Sequence, residues 1–331
     1  MSSPLPDAAP RNWVDRYAPE RLRPWLQLGR FDRPVGIWLL MLPGWWGVAL
    51  ASAMGGRWPD PRLLLLFFVG AAVMRAAGCA YNDAVDRDLD RKVARTAGRP
   101  VASGRISWRA AVAYSVGLSL VGLTVLLCFN LLAVMVGAAA VLLVAAYPFM
   151  KRITWWPQLW LGLTFNWGVL VGWLAGAFGG SMNGLLETAE PGARLDPVFP
   201  IGELLSPWPA LLLYAAGVFW TLGYDTIYAL QDLEDDALAG VKSSARRLGG
   251  RTRAGVAGFY VVCVGLVLAA GAAARLGPVF YAGAAAFALH LAWQAWRLRV
   301  DDPGLALRLF KSNVWAGVIL FGALALGAAI L

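Results

Sequence analysis

Nine apolar stretches separated by polar connections run along the chain, at 34–55, 62–82, 108–128, 131–149, 155–179, 208–230, 254–273, 278–296 and 312–331. Each is about long enough, as a helix, to cross a hydrocarbon core of roughly 30 Å. The connections at Phe129-Asn130 and Arg275-Leu276-Gly277-Pro278 are so short that the stretches they join must pack antiparallel. The pattern predicts an all-α integral membrane protein, with residues 31–331 forming one domain of nine transmembrane helices. Residues 1–30 are rich in Pro and Arg and have no early apolar core. Within them Leu22, Trp25, Leu26 and Leu28, set among Arg21, Arg23 and Arg30, predict a short helix on the membrane surface at the end of a polar tail. The 180–207 connection is punctuated by Pro and Gly and reads as a surface loop without chemistry.

Composition agrees with the membrane reading. Hydrophobic residues make up 59% of the chain and charged residues only 15%, where a soluble domain carries nearer a quarter. The net charge of +9 therefore signals topology and lipid contact rather than nucleic acid. Cys79, Cys128 and Cys263 sit singly in apolar runs and are expected to pack, not to form disulfides or bind metal. The single histidine, His290, is expected to be structural. If the N-terminus is cytoplasmic, almost all Lys and Arg fall on that side. Only Arg57, Arg62, Arg194 and Arg275 lie opposite, and Arg75 is inside a span. This bias predicts a cytoplasmic N-terminus with both acidic stretches on the cytoplasmic face; the expected membrane is a bacterial inner membrane, with the mitochondrial inner membrane as the alternative.

Two charged stretches then stand out. Tyr81-Asn82-Asp83-Ala84-Val85-Asp86-Arg87-Asp88-Leu89-Asp90 ends the second span. Asn82, Asp86 and Asp90 are spaced i, i+4, i+8, which puts them on one helical face. Stacked oxygen groups of this kind need a cation among them, and hard oxygen donors suit Mg²⁺. Tyr228-Ala229-Leu230-Gln231-Asp232-Leu233-Glu234-Asp235-Asp236 ends the sixth span and repeats the device with Asp232 and Asp236. Both are trailed by cations, the first by Arg95 and Arg99, the second by Lys242. Two acidic helix ends in the second and sixth spans suggest two four-helix pseudo-repeats plus a ninth helix, built around a central cavity.

Arg75 lies seven residues before Asn82, on the same face and about 10 Å deeper. A charge at that depth is a functional candidate and suits a small carboxylate. Tyr147 and Lys151 share a face at the end of the fourth span, and Asp225 is a second acid inside the membrane. The combination suits a lipid-tailed diphosphate whose head meets Mg²⁺ and whose tail lies in the bilayer. Cleavage of its C–O bond would leave an allylic cation for an electron-rich ring to capture. An ion-coupled transporter is the competing class. Against it, the acids cluster at one membrane face, not at the midplane.

Asn82-Asp83-x-x-Asp86-Arg87-x-x-Asp90, followed by Arg95-Thr96-x-x-Arg99-Pro100, resembles the first signature of the UbiA-type intramembrane prenyltransferases. Tyr224-Asp225-Thr226-x-Tyr228-Ala229-x-x-Asp232-x-x-Asp235-Asp236 resembles the second. The resemblance implies a nine-helix bundle, Mg²⁺ dependence and prenylation of an aromatic acceptor. Met74-Arg75-Ala76-Ala77-Gly78-Cys79 and Tyr147-Pro148-x-x-Lys151-Arg152 are the segments that favour 4-hydroxybenzoate over haem, homogentisate or a naphthoate. The implied reaction alkylates the carbon ortho to the hydroxyl, an early step of ubiquinone synthesis. The resemblance further implies Asn82 and Asp86 on one Mg²⁺ and Asp232 and Asp236 on the other. Lys151 would meet diphosphate, helped by Arg95, Arg99 and Lys242; Tyr147 would lie by the developing cation and Arg75 by the acceptor carboxylate. Polyprenyl diphosphate, 4-hydroxybenzoate and membrane lipid are the expected partners, with no nucleic acid and no obligate protein partner.

Overall fold

The computed structural model describes residues 12–93, 96–178, 207–233, 237 and 240–328, and of Asp232 its backbone alone. Every regular element among them is helical. Two short helices, α1 (Trp13–Tyr17) and α2 (Arg23–Leu28), precede five long ones: α3 (Val35–Met54), α4 (Pro61–Asp90), α5 (Trp108–Leu126), α6 (Leu131–Ile153) and α7 (Pro157–Ala177). After the 180–207 connection, which falls almost wholly outside the described residues, comes α8 (Trp208–Tyr228), continued by a 3₁₀ turn over Ala229–Asp232. The short α9 (Ser244–Leu248) leads into α10 (Thr252–Ala273), α11 (Pro278–Arg297) and α12 (Pro303–Leu326).

Eight of the described helices are long and apolar enough to cross a membrane. The expectation of nine spans is therefore not reached among the described residues. The stretch predicted at 278–296 forms α11, yet His290 and Gln294 leave it more polar than its neighbours. Two predicted boundaries also move. α4 runs unbroken to Asp90, so the first acidic stretch is part of the span's own helix. α12 starts at Pro303, well before the predicted 312, capped by Asp302, whose Oδ1 accepts the Leu305 amide at 2.7 Å. Side chains also cap α4, α5 and α6. Asp60, Ser107 and Asn130 accept amides of their first turns, at 2.8, 3.2 and 3.0 Å respectively.

The core is built where α3 and α7 meet. Gly168, Gly172 and Gly176 recur every four residues along α7. A Cβ on Gly172 would lie 2.2 Å from the Gly44 carbonyl oxygen, and one on Gly47 would lie 2.1 Å from that of Val169. Only glycine admits so close a backbone approach. Trp46 donates to the Gly317 carbonyl and Trp220 to Asn313, both at 2.9 Å, joining α3, α8 and α12. A buried polar cluster completes this half. Gln294 Oε1 accepts from Tyr260 at 2.8 Å and from Asn313 at 3.1 Å. On the opposite side the packed pair α4 and α5 stands apart from the packed pair α6 and α7, with a cavity between them.

Among the smaller expectations, Cys79 and Cys263 are buried but Cys128 is exposed, so one of the three does not pack inside. His290 lies 3.3 Å from the Ser312 hydroxyl. The predicted N-terminal helix forms as α2, and Leu28 at its end is buried with Ala80 and Ala84 of α4.

Candidate active site

A cavity of about 610 Å³ opens between α3, α4, α5, α6, α7, α8 and α12. Its deeper part is apolar, lined for example by Leu66, Phe67, Leu123, Leu126, Phe129 and Val141. The end nearest the first acidic stretch is polar. There α4 contributes Arg75, Asn82 and Asp83, α6 contributes Tyr147, and α8 contributes Tyr224, Asp225 and Tyr228. Helical spacing explains the α4 set, since Arg75, Asn82 and the intervening Cys79 share one face.

Arg75 is held over the Phe165 ring with its guanidinium carbon 5.5 Å from the centroid. Its Nε is enclosed and meets no hydrogen-bond partner among the described residues. Gly36 leaves room for it, because a Cβ there would lie 2.5 Å from that nitrogen. A planar donor kept in an aromatic niche, facing the same cavity as Asn82, Tyr147 and Asp225, is arranged to receive a planar anion.

The acids of the first stretch divide by face. Asp86 is wholly buried; Lys151 Nζ stands 2.5 Å from one of its oxygens and Arg152 3.1 Å from the other. Asp90 pairs with Arg99 at 2.9 Å. Asp83 is also buried, paired with Arg30 at 2.7 Å and with Arg99 at 3.5 Å, and its second oxygen has no partner among the described residues. A desolvated carboxylate demands such cations. Asp86 and Lys151 therefore contact each other rather than the cavity. Lys242 stands apart from it too. Its ammonium donates to the Ile153 carbonyl at 3.1 Å and its amide to that of Lys151 at 3.0 Å, tying the second basic segment to the end of α6. The backbone of Asp232 follows α8 in the 3₁₀ turn, whereas Asp236 and Arg95 lie outside the described residues.

Three residues were missed by pattern reading. Arg30, at φ 60°, turns the chain between α2 and α3 and sends its guanidinium to Asp83 across 53 positions. Arg33 and Lys311 line the cavity as further cations. Beside Arg33, burial pushes the Asp32 carboxyl above its usual range, against the opposing pull of Arg33 and Arg30. Nothing in hydrophobic periodicity marks these positions; Lys311 in particular precedes the stretch expected to span.

No group of three or more His, Cys, Asp or Glu converges as a metal cluster among the described residues. The donor chemistry nonetheless fits Mg²⁺. Asn82 and Asp86 offer hard oxygens one turn apart, and the cations now against Asp86 mark it as a place where positive charge is required.

A family model described as the UbiA prenyltransferase family matches residues 40–329. The chain is 41% identical over 317 residues to the mitochondrial 4-hydroxybenzoate polyprenyltransferase of Arabidopsis thaliana, covering 96% of this chain and 71% of that one. The apo structure of a UbiA homologue from Aeropyrum pernix K1 superposes with a TM-score of 0.66 at 26% identity, over 86% of this chain and 96% of that one. A UbiA homologue from Archaeoglobus fulgidus bound to GPP and Mg²⁺ superposes with a TM-score of 0.58 at 18% identity, over 91% and 99% of the two chains, a likeness of fold.

Proposed function

The chain belongs to the UbiA prenyltransferase family, and from that premise we propose that it is a 4-hydroxybenzoate polyprenyltransferase. It moves a polyprenyl group from its diphosphate to the ring carbon ortho to the acceptor hydroxyl, for ubiquinone synthesis. The observation that carries the acceptor is Arg75, with its unpartnered Nε above Phe165 and facing the cavity. Two parallel hydrogen bonds from a guanidinium fit a benzoate carboxylate.

The donor's tail takes the apolar depth of the cavity and its diphosphate the polar end, where Arg30, Arg33, Arg99 and Lys311 supply positive charge. Lys151 would leave its pair with Asp86 to meet the diphosphate, helped by Arg95 and Lys242 of the basic segments that follow the two acidic stretches in sequence. Asn82 and Asp86 would hold one Mg²⁺, and Asp232 and Asp236 a second. Mg²⁺ held there would supply neutralisation of the charge on the leaving diphosphate. As the C–O bond breaks, its electron pair goes to the diphosphate oxygen. Tyr147, Tyr224 and Tyr228 line the cavity, and their rings would supply electron density to the allylic cation. The ring carbon then forms the new C–C bond and loses its proton to restore aromaticity. Asp225 lines the cavity beside these tyrosines and belongs to the substrate-binding surface. Apolar walls keep water from the cation.

The protein is a membrane protein, and we infer that the face bearing both acidic motifs looks towards the cytoplasm of a bacterium or, equivalently, a mitochondrial matrix. The mitochondrial name of the Arabidopsis relative fits the second compartment. The test presents purified protein with Mg²⁺, a radiolabelled polyprenyl diphosphate and a panel of aromatic acceptors. Ring-prenylated 4-hydroxybenzoate is expected. Product from homogentisate or a naphthoate with none from 4-hydroxybenzoate would refute the acceptor assignment.

A further inference from the structure

A second cavity, of about 390 Å³, lies where α10 begins and α11 ends, outside the central one and sharing none of its lining. Four arginines converge on it: Arg253 from the start of α10, Arg297 and Arg299 from the end of α11 and the turn after it, and Arg308 from α12. Helix α12 divides the two spaces. Its Leu307, Phe310 and Lys311 face the central cavity, while Leu305 and Arg308 face this one. Among the described residues the only acid in the lining is Asp302, and its Oδ1 is engaged by the Leu305 amide as the α12 cap. No ion pair joins any of the four arginines to an acid among the described residues. Arg253 uses its Nε on the Ala295 carbonyl at 3.1 Å, which aims the rest of its guanidinium. Trp296, 68% exposed, forms part of the rim.

We propose that this cavity binds a phosphate group, and that the phosphate is the headgroup of an anionic phospholipid. A positive-inside bias accounts for cations on one face, but not for four that meet in one concave space with no acid pairing them. Guanidinium forks match phosphate oxygens, and basic pockets between membrane helices are suited to lipid headgroups. The space equals roughly a dozen water volumes at about 30 Å³ each, enough for a phosphodiester head. An exposed tryptophan at a helix end marks the level at which headgroups lie, so the acyl chains would run down the outer surface of α11 and α12. A free anion would gain nothing from Trp296.

The experiment uses the full chain in mixed phosphatidylglycerol and phosphatidylcholine nanodiscs, with lipid retention read by native mass spectrometry after extraction. Each basic residue near an anionic surface is worth about a fivefold factor in binding. Arg297→Gln with Arg308→Gln should therefore weaken phosphatidylglycerol retention about 25-fold. Arg57→Gln with Arg62→Gln, on the opposite face, should leave it unchanged. If the pocket double variant does not fold, Arg299→Gln alone carries the test, with a loss of about fivefold. Equal retention by the wild-type and pocket variants overturns the proposal, as does an equal loss in the opposite-face control. Inorganic diphosphate displacing the retained lipid at matched concentration also overturns it, since the site would then belong to a free anion.

Discussion

Gly36→Ala tests the acceptor site without touching any proposed ligand. A Cβ at this position would stand 2.5 Å from Arg75 Nε, 3.0 Å from one terminal nitrogen and 3.1 Å from the guanidinium carbon. Ordinary contact needs about 3.5 Å or more, so the guanidinium must retreat by roughly 1 Å. The neighbour is the end of a flexible side chain, and the backbone of α3 need not move. Stability should change little, because alanine is a better helix former than glycine. A misplacement of about 1 Å can nevertheless cost on the order of 100-fold where reacting groups must be aligned. The expected result is a rise of that order in KM for 4-hydroxybenzoate or an equal fall in kcat/KM, with donor affinity within about twofold of wild type. The assay titrates each substrate separately against purified protein, the donor as a non-reactive prenyl diphosphate analogue. Loss of donor binding with normal acceptor kinetics would show that Arg75 serves the diphosphate, and unchanged kinetics would show that the niche is not used.

Asp86→Ala and Asp232→Ala should each reduce turnover by at least about 100-fold, on the scale of lost transition-state electrostatics; product formation with saturating Mg²⁺ checks this, and a near wild-type rate in either variant would remove it from the site. Gln294→Leu strands the Tyr260 hydroxyl, while the Asn313 amide keeps the Leu309 carbonyl at 3.1 Å; one unsatisfied buried group costs about 1–3 kcal/mol, so denaturant unfolding should show a loss of about that size. Asp32 titrates above its unfolded value because it is buried. Its contribution is therefore most favourable at low pH and is lost as pH rises through the folded pKa. Asp32→Asn should raise the melting temperature at pH 7 and show a smaller gain near pH 4.

What could be read from residue order was whatever has a period or breaks one. Arg75 interrupts an apolar run, and Asn82, Asp86 and Asp90 repeat with the helix, so face and depth followed directly. The neighbour at i+1, Asp83, belongs to another face, and its partner Arg30 comes from a turn 53 positions away; no periodicity encodes that pairing. The first turns of α12 were hidden for a related reason. Pro303 to Lys311 are helical but amphipathic, with Arg308 facing one cavity and Lys311 the other, so hydropathy starts the helix late. The glycine seam between α3 and α7 follows from spacing only once the two helices are known to touch. Lys151 was legible as a cation near the site. That it serves Asp86 before any substrate arrives required coordinates.

That pairing would make metal and donor binding interdependent at the proposed site. Asp86 is wholly buried and relies on Lys151 and Arg152 for charge balance. If Lys151 turns to the donor's diphosphate, Asp86 loses its shorter ion pair, and breaking a buried pair costs about 3–5 kcal/mol. A divalent cation on Asn82 and Asp86 removes most of that cost, so each ligand should strengthen the other. Linkage requires the two factors to be equal, and couplings of this kind span about 5- to 150-fold. A non-reactive prenyl diphosphate analogue titrated with and without Mg²⁺ at constant ionic strength should show an affinity gain in that range. Mg²⁺ titrated with and without the analogue should return the same factor. Lys151→Met should weaken the analogue in both conditions and shrink the factor, because Asp86 then has no lysine to surrender. Equal analogue affinity with and without metal in the wild type would mean that Lys151 stays on Asp86 throughout, and the diphosphate contact would pass to the cavity cations Arg30, Arg33, Arg99 and Lys311.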